Sequence, residues 1–144
     1  MKYNHINKVK CYSTTLCRAT NSLTTFYDDA LQELGISTKQ YSLLRNLSRL
    51  GEASTVELAD FVNLERSTVT RNLKPLLSNG WVFDMAVKGS RSHRYAVTKA
   101  GEEKLDETVI FWQKAQDDIA GALGEERMAS LMESLYMIQD LQKR

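Results

Sequence analysis

The sequence predicts a mainly α-helical fold: a winged helix-turn-helix unit between long N- and C-terminal dimerisation helices, with a small β-hairpin as the wing. Three observations predict it. The first is the segment 66–78, in which Ser67, Thr70, Arg71 and Lys74 fall at i, i+3, i+4 and i+7 while Val69, Leu73 and Leu76 or Leu77 fall opposite. At 3.6 residues per turn this is a helix with an apolar back and a front of hydroxyls and cations. The second is what flanks it: a short capped helix over 54–62 before it and a basic hairpin over 81–97 after it. The third is the apolar periodicity of both chain ends, which exceeds what one small unit would cover.

Taken in order, residues 6–34 read as one long helix. Val9, Leu16, Leu23 and Ala30 recur every seven residues, with Tyr12, Ala19 and Phe26 offset by three. That is an a/d-like seam over about three heptads. Gly35 ends the helix, as a glycine C-cap does. Ser37-Thr38-Lys39-Gln40 fits a capping box, with Ile36 and Tyr41 placed as a staple, and opens a helix to about Leu50 whose inward positions are Tyr41, Leu44, Leu47 and Leu50. Gly51 stops it. A second box, Ser54-Thr55-Val56-Glu57, opens a short helix with Val56, Leu58, Ala59 and Val62 as its apolar set. Asn63 takes a left-handed turn cheaply. The helix from Arg66 ends at Asn79-Gly80, and Pro75 inside it removes one backbone hydrogen bond and bends the rod. Trp81–Val87 and His93–Val97 read as the wing strands around a turn at residues 88–92. Thr98 caps a long helix on which Leu105, Val109, Trp112, Gln116, Ile119 and Leu123 form a stripe that only Gln116 interrupts, and Gly121 and Gly124 break its pattern. Met128, Leu131, Leu135 and Ile138 mark one face of a last helix. The organisation is thus an N-terminal dimerisation helix over 1–36, a winged helix-turn-helix unit over 37–100 and C-terminal dimerisation helices over 101–144, intertwined as one domain.

The chain has 144 residues, 42% of them apolar, with one proline and seven glycines. No apolar run reaches the roughly 20 residues that span a bilayer. No apolar stretch follows the first residues as a signal peptide requires, and two cysteines make no disulfide framework. A cytoplasmic, nucleoid-associated protein with no membrane partner is expected. The net charge of +1 conceals an uneven distribution. Residues 63–99 carry seven cations against Glu65 and Asp84, a balance of +5, whereas residues 102–144 carry a balance of −5. A basic middle and an acidic end suit one side turned toward nucleic acid and one turned away. No glycine-rich phosphate loop, glycine-flanked serine or His/Cys metal cluster occurs, and His5 and His93 stand far apart, so neither an enzyme nor a cofactor or metal site is expected.

The strings Leu64-Glu65-Arg66-Ser67-Thr68-Val69-Thr70-Arg71-Asn72-Leu73-Lys74-Pro75-Leu76, Gly80-Trp81-Val82 and Val97-Thr98-Lys99-Ala100-Gly101 resemble the multiple antibiotic resistance regulator (MarR) family: its recognition helix, first wing strand and wing exit. The resemblance runs over nearly the whole helix order. It implies a homodimeric winged-helix transcription factor, commonly a repressor, that binds a pseudo-palindromic duplex operator and responds to small phenolic molecules or oxidants. The expected DNA contacts are Arg66, Ser67, Thr68, Thr70, Arg71 and Lys74 on the helix and Lys88, Arg91 and Arg94 on the wing. The family usually carries an acid two positions before the wing arginine; here Arg91 is present and Gly89 stands in the acid's place. The resemblance also locates an effector site among the first, second and fifth helices, with Tyr12, Phe26, Tyr41 and Trp112 as candidate lining residues. Cys11 and Cys17 are candidate redox residues, although the peroxide-sensing position of the family aligns with Ser13. Six residues of helix separate them by a rise of about 9 Å, so they cannot bridge one another within an intact helix. Packing is the preferred role for both, with redox exchange between subunits or with a small thiol as the alternative. A winged-helix protein-interaction module without specific DNA binding is the other function class left open, and repression against activation is not encoded.

Overall fold

The computed structural model describes residues 11–143. Helix α1 (Tyr12–Leu31) continues through a 3-10 turn at Gln32–Leu34 to Gly35, whose φ of 65° supplies the left-handed stop. Residues 6–10 of the expected first helix, Val9 among them, and His5 lie outside the described residues; within them the helix starts at Tyr12, with Cys11 as N-cap. Helix α2 (Thr38–Leu50) opens on the expected capping box, Ser37 Oγ accepting from the Gln40 amide while the Gln40 side chain accepts from the Ser37 amide. Asp28 of α1 also accepts from the Thr38 amide at 2.7 Å, so the first turn of α2 is tied to the preceding helix.

After Gly51 the chain makes a two-residue strand, β1 (Glu52–Ala53), absent from the sequence expectation. Helix α3 (Thr55–Val62) starts on the second reciprocal box, Ser54 with Glu57, and ends at Asn63 with φ 53°. Helix α4 (Arg66–Ser78) contains Pro75. The wing strands are shorter than expected: β2 (Val82–Asp84) and β3 (Tyr95–Val97) hold three residues each, and residues 85–94 between them are irregular. The sheet order is β1-β3-β2, antiparallel, with Glu52 opposite Ala96 and Val82 opposite Val97. Strand β3 is therefore central, and β1 pins the wing to the helical unit.

Helices α5 (Lys99–Leu123) and α6 (Glu125–Gln139), followed by a 3-10 turn at Asp140–Lys143, complete the chain. Gly124, with φ 85°, breaks between the helices, but Gly121 does not interrupt α5. The mostly helical fold with a small antiparallel wing sheet is the one the sequence predicts.

The core is built where α2, α3 and α4 meet the sheet. Leu31, Leu44, Leu47, Leu58, Val69, Leu76 and Val82 are buried in it. Leu43 joins them, whereas Leu50, expected inward, is partly exposed beside Gly51. Along α5, Leu105 and Trp112 of the expected stripe pack against the core. Gly101, Thr108 and Ala115 are the buried positions of the helix, and Val109 faces out. Small residues occupy the line because α5 lies close against its neighbours: a Cβ on Gly101 would stand 2.1 Å from the Trp81 carbonyl oxygen. Helix α1 packs on α5, and α6 packs on α5 while keeping much of its own apolar surface exposed.

Candidate nucleic-acid interface

Helix α4 carries the candidate reading face. Its back, Val69, Leu73 and Leu76, is buried, which fixes the rotation of the rod. Its front then necessarily points outward: Arg66, Ser67, Thr70, Arg71 and Lys74 are all exposed. The Thr70 hydroxyl donates to the Arg66 carbonyl at 2.9 Å, leaving its lone pairs outward as acceptors. Thr68 is half-buried, and its carbonyl accepts from the Asn72 side chain at 2.9 Å. It borders a polar recess of about 430 Å³ at the turn between α3 and α4, shared with Asp60, Asn63 and Arg66. The tight turn that brings the two helices together depends on Asn63, whose short side chain tolerates the left-handed backbone.

The wing places Lys88 and Arg91 in the exposed irregular segment around Gly89, whose φ is 89°. Among the described residues Arg91 makes no ion pair, in keeping with the glycine at position 89. The base of the wing is held by Asp84. One of its carboxylate oxygens accepts from the Ala86 amide at 2.9 Å, and the other pairs with Nδ1 of His93, which in turn stacks on Tyr95. The Ala86 amide first, and His93 after it, hold the Asp84 carboxyl below its usual range. A depressed carboxyl contributes order above the ordinary carboxylate range and loses it as pH falls through its own lower value. The Ala86 amide resonance is therefore expected to move in acid at a pH lower than an exposed aspartate would titrate, and Asp84→Asn is expected to abolish that movement. A wild-type Ala86 titration at the ordinary aspartate pH would contradict the hydrogen bond.

Arg94 has partners that its sequence neighbourhood does not show. The sequence expectation places it on the DNA-contacting surface, but its guanidinium lies between two carboxylates, Nε at 3.2 Å from Glu52 and Nη1 at 3.1 Å from Glu57. Glu57, and less strongly Glu52, stabilise its charged form. No local sequence signal marks these partners, which lie 42 and 37 residues away along the chain.

The four candidate effector residues do not line one cavity. Tyr41 is buried and meets half-buried Trp112 with ring centroids 6.1 Å apart, and the Arg45 guanidinium lies 4.9 Å from the Trp112 ring centre. Tyr12, 84% exposed, instead joins Leu16, Cys17, Ile138 and Leu141 around an apolar groove of about 530 Å³. Phe26 is partly exposed on α1; Tyr27 beside it, not Phe26, faces the space between α1, α5 and α6. Fourteen residues of helix separate Tyr12 from Phe26, a rise of about 21 Å, too far for one small cavity. Sequence reasoning misses Arg45, though its place one turn after Tyr41 is readable. Neither cysteine is packed inside the protomer: Cys11 and Cys17 are both exposed, and Cys17 borders the apolar groove. Hydrogen bonds from the Thr14 hydroxyl and amide hold the Cys11 thiol below its usual range. Among the described residues no His/Cys/Asp/Glu group is arranged to hold a metal, and no helix is long and apolar enough to cross a membrane.

A helix with an apolar back and a cationic front, braced by a capped shorter helix and followed by a sheet-anchored wing, defines a winged-helix DNA-binding protein. The MarR family model matches residues 36–83, the span from the start of α2 through most of β2. A curated relative, the uncharacterised HTH-type transcriptional regulator YwoH of Bacillus subtilis strain 168, is 28% identical over 99 residues, covering 69% of this chain and 72% of its own. The transcriptional regulator MosR of M. tuberculosis, solved in complex with DNA, is 29% identical, with a TM-score of 0.70 over 90% of this chain and 98% of MosR. NadR, solved with 4-hydroxyphenylacetate, shares the fold at 24% identity and a TM-score of 0.68, over 93% of this chain and 96% of NadR. Residues 36–83 thus match the MarR family, and the chain as a whole is similar in fold to regulators such as MosR.

Proposed function

We propose that this chain is a homodimeric, sequence-specific DNA-binding regulator that represses from a pseudo-palindromic operator and is released by a small aromatic or phenolic molecule. The observation that carries the DNA reading is the front of α4, where Ser67, Thr70, Arg71 and Lys74 are exposed on a rod locked by its buried back. Hydroxyls and guanidinium groups on a helix of this width suit base edges and phosphates in the major groove. Arg66 and Thr68 at the start of the helix and Lys88 and Arg91 on the wing extend the contact surface. MosR, at similar length and fold, was solved on DNA. The winged-helix interaction module without DNA binding has no observation of its own in favour.

The dimer reading rests on the apolar surface that α1 and α6 leave open, including Tyr136, Met137, Ile138 and Leu141. Two-fold pairing of that surface would set the reading helices about one helical turn of DNA apart. The effector reading rests on half-buried Trp112 and the Arg45 guanidinium over its ring, an aromatic face and a cation beside buried Tyr41. NadR, of the same fold, holds such a molecule. Redox control through exposed Cys11 or Cys17 is the alternative signal, tested by DNA affinity before and after mild peroxide in wild type, Cys11→Ser and Cys17→Ser.

The experiment that tests the function is selection of bound sequences from random duplex DNA, followed by titration of the winner. Arg71→Ala is expected to weaken binding to the selected site by about 1–3 kcal/mol and to relax preference at one base position. No enrichment of any sequence by the wild-type protein would overturn the regulator reading in favour of the interaction module.

A further inference from the structure

The side-chain cluster Glu52–Arg94–Glu57 joins three elements of the DNA-binding unit, β1, the wing and α3. Arg94 lies in the wing just before β3, Glu52 in β1 and Glu57 in the first turn of α3. Because Glu52 is opposite Ala96, Arg94 two residues earlier lies on the same face as Glu52 and reaches past it to α3. Glu57 also closes the capping box, accepting from the Ser54 amide at 2.9 Å. The Arg94 carbonyl accepts from the Met85 amide at 2.7 Å, bonding the two arms of the wing to each other just beyond the strands. One residue thus ties the wing to itself through its backbone and to the helical unit through its side chain. The need for such a tie is visible: each wing strand has three residues, β1 has two, and the position two before Arg91 is glycine.

We propose that Arg94 is a positioning residue for DNA binding, which by bridging Glu52 and Glu57 holds the wing at a fixed angle to α3 and α4 so that Arg91 and Lys88 meet the duplex that α4 reads. The inference rests on the DNA-binding reading above. It reverses the simplest expectation for a wing arginine, which is a direct phosphate contact, and the two make opposite predictions. Were Arg94 a phosphate contact, removing the competing acids would free it and reduce repulsion of DNA, raising affinity for every sequence. As a strut, it loses its anchorage when the acids go, and specific affinity falls. The planar fork of arginine spans two carboxylates at once, which a lysine ammonium does far less well, so Arg94→Lys keeps the charge and loses the bridge.

The test uses the full chain with Glu52→Gln/Glu57→Gln and, separately, Arg94→Lys. Glutamine at position 57 retains the capping box, so helix α3 keeps its start. Both variants are expected to bind the selected operator about tenfold more weakly, with hydroxyl-radical protection lost at the flanks that the wing covers and kept at the half-site centres. In the free protein, amide exchange at Met85 is expected to accelerate in both, with the thermal midpoint little changed. The Met85 readout needs no DNA, so it separates failure of the strut from failure of the DNA-binding reading. Unchanged Met85 exchange, or a double glutamine variant that binds DNA more tightly, would overturn the proposal.

Discussion

Gly101→Ala is expected to destabilise the protein by about 1–3 kcal/mol, the range for forcing a methyl group into a filled site. Local helix propensity argues for the opposite sign, since alanine inside a helix is better than glycine by about 1 kcal/mol. The geometry decides between them. Gly101 lies in the first turn of α5, and a Cβ there would stand 2.1 Å from the Trp81 carbonyl oxygen and 2.6 Å from Cγ1 of Val97. The carbonyl has little room to retreat, because it accepts from the Thr98 amide at 3.0 Å, and the Thr98 hydroxyl in turn donates to the Gly80 carbonyl and accepts from the Gly101 amide. Relieving the clash would open the junction where the wing returns to α5. Gly121, in the same helix, is the internal control, because a Cβ added there would meet nothing within 4 Å. Gly121→Ala is expected to stabilise or leave unchanged, and Gly101→Ala to lower the urea midpoint at the same protomer concentration. Equal midpoints for the two variants would refute the close approach.

Charging the apolar groove between α1 and α6 is expected to have the largest effect on DNA binding. Met137 and Leu141 are each 60% exposed in the protomer, and Ile138 and Leu141 line the groove with Tyr12 and Leu16. A glutamate at position 138 would be buried unpaired if a second protomer covers this surface, at a cost of several kcal/mol. Ile138→Glu is therefore expected to give a folded monomer by sedimentation, with helical circular dichroism retained. Losing simultaneous engagement of two half-sites removes an avidity of about 10²–10⁴. Operator affinity should drop by at least the lower figure. A variant that sediments as wild type and binds as tightly would place the subunit contact elsewhere.

Much of this unit was legible because its signals are local. Both capping boxes, the left-handed Asn63 and the stops at Gly35 and Gly51 depend on backbone geometry within a few residues, and each stands where the sequence puts it. The exposed polar face of α4 was legible for a related reason. Amphipathic periodicity assigns Val69 and Leu73 to the back of α4 and Thr70 and Arg71 to its front once the element is a helix. The resemblance to the family rested on that same stretch and on the wing exit.

What escaped the sequence depends on distance between elements. Strand β1 exists only because Glu52 and Ala53 meet Ala96 and Tyr95 across more than forty residues, and its two residues carry no periodicity. The buried line of α5 runs through Gly101, Thr108 and Ala115 because neighbouring backbone approaches there, and hydrophobicity alone favoured Val109. Tyr12, Phe26, Tyr41 and Trp112 share aromatic character, yet helix rise sends the first two away from the Tyr41–Trp112 contact. Arg94 makes the division sharpest. By residue type it is one more cation on a basic wing; strand register brings Glu52 beside it and packing brings Glu57 within reach. Residue chemistry and short-range geometry therefore determined the elements and the exposed polar face of α4, whereas the partner each charge takes was decided only by the tertiary fold, because an ion pair depends on separation in space and the chain records separation in sequence.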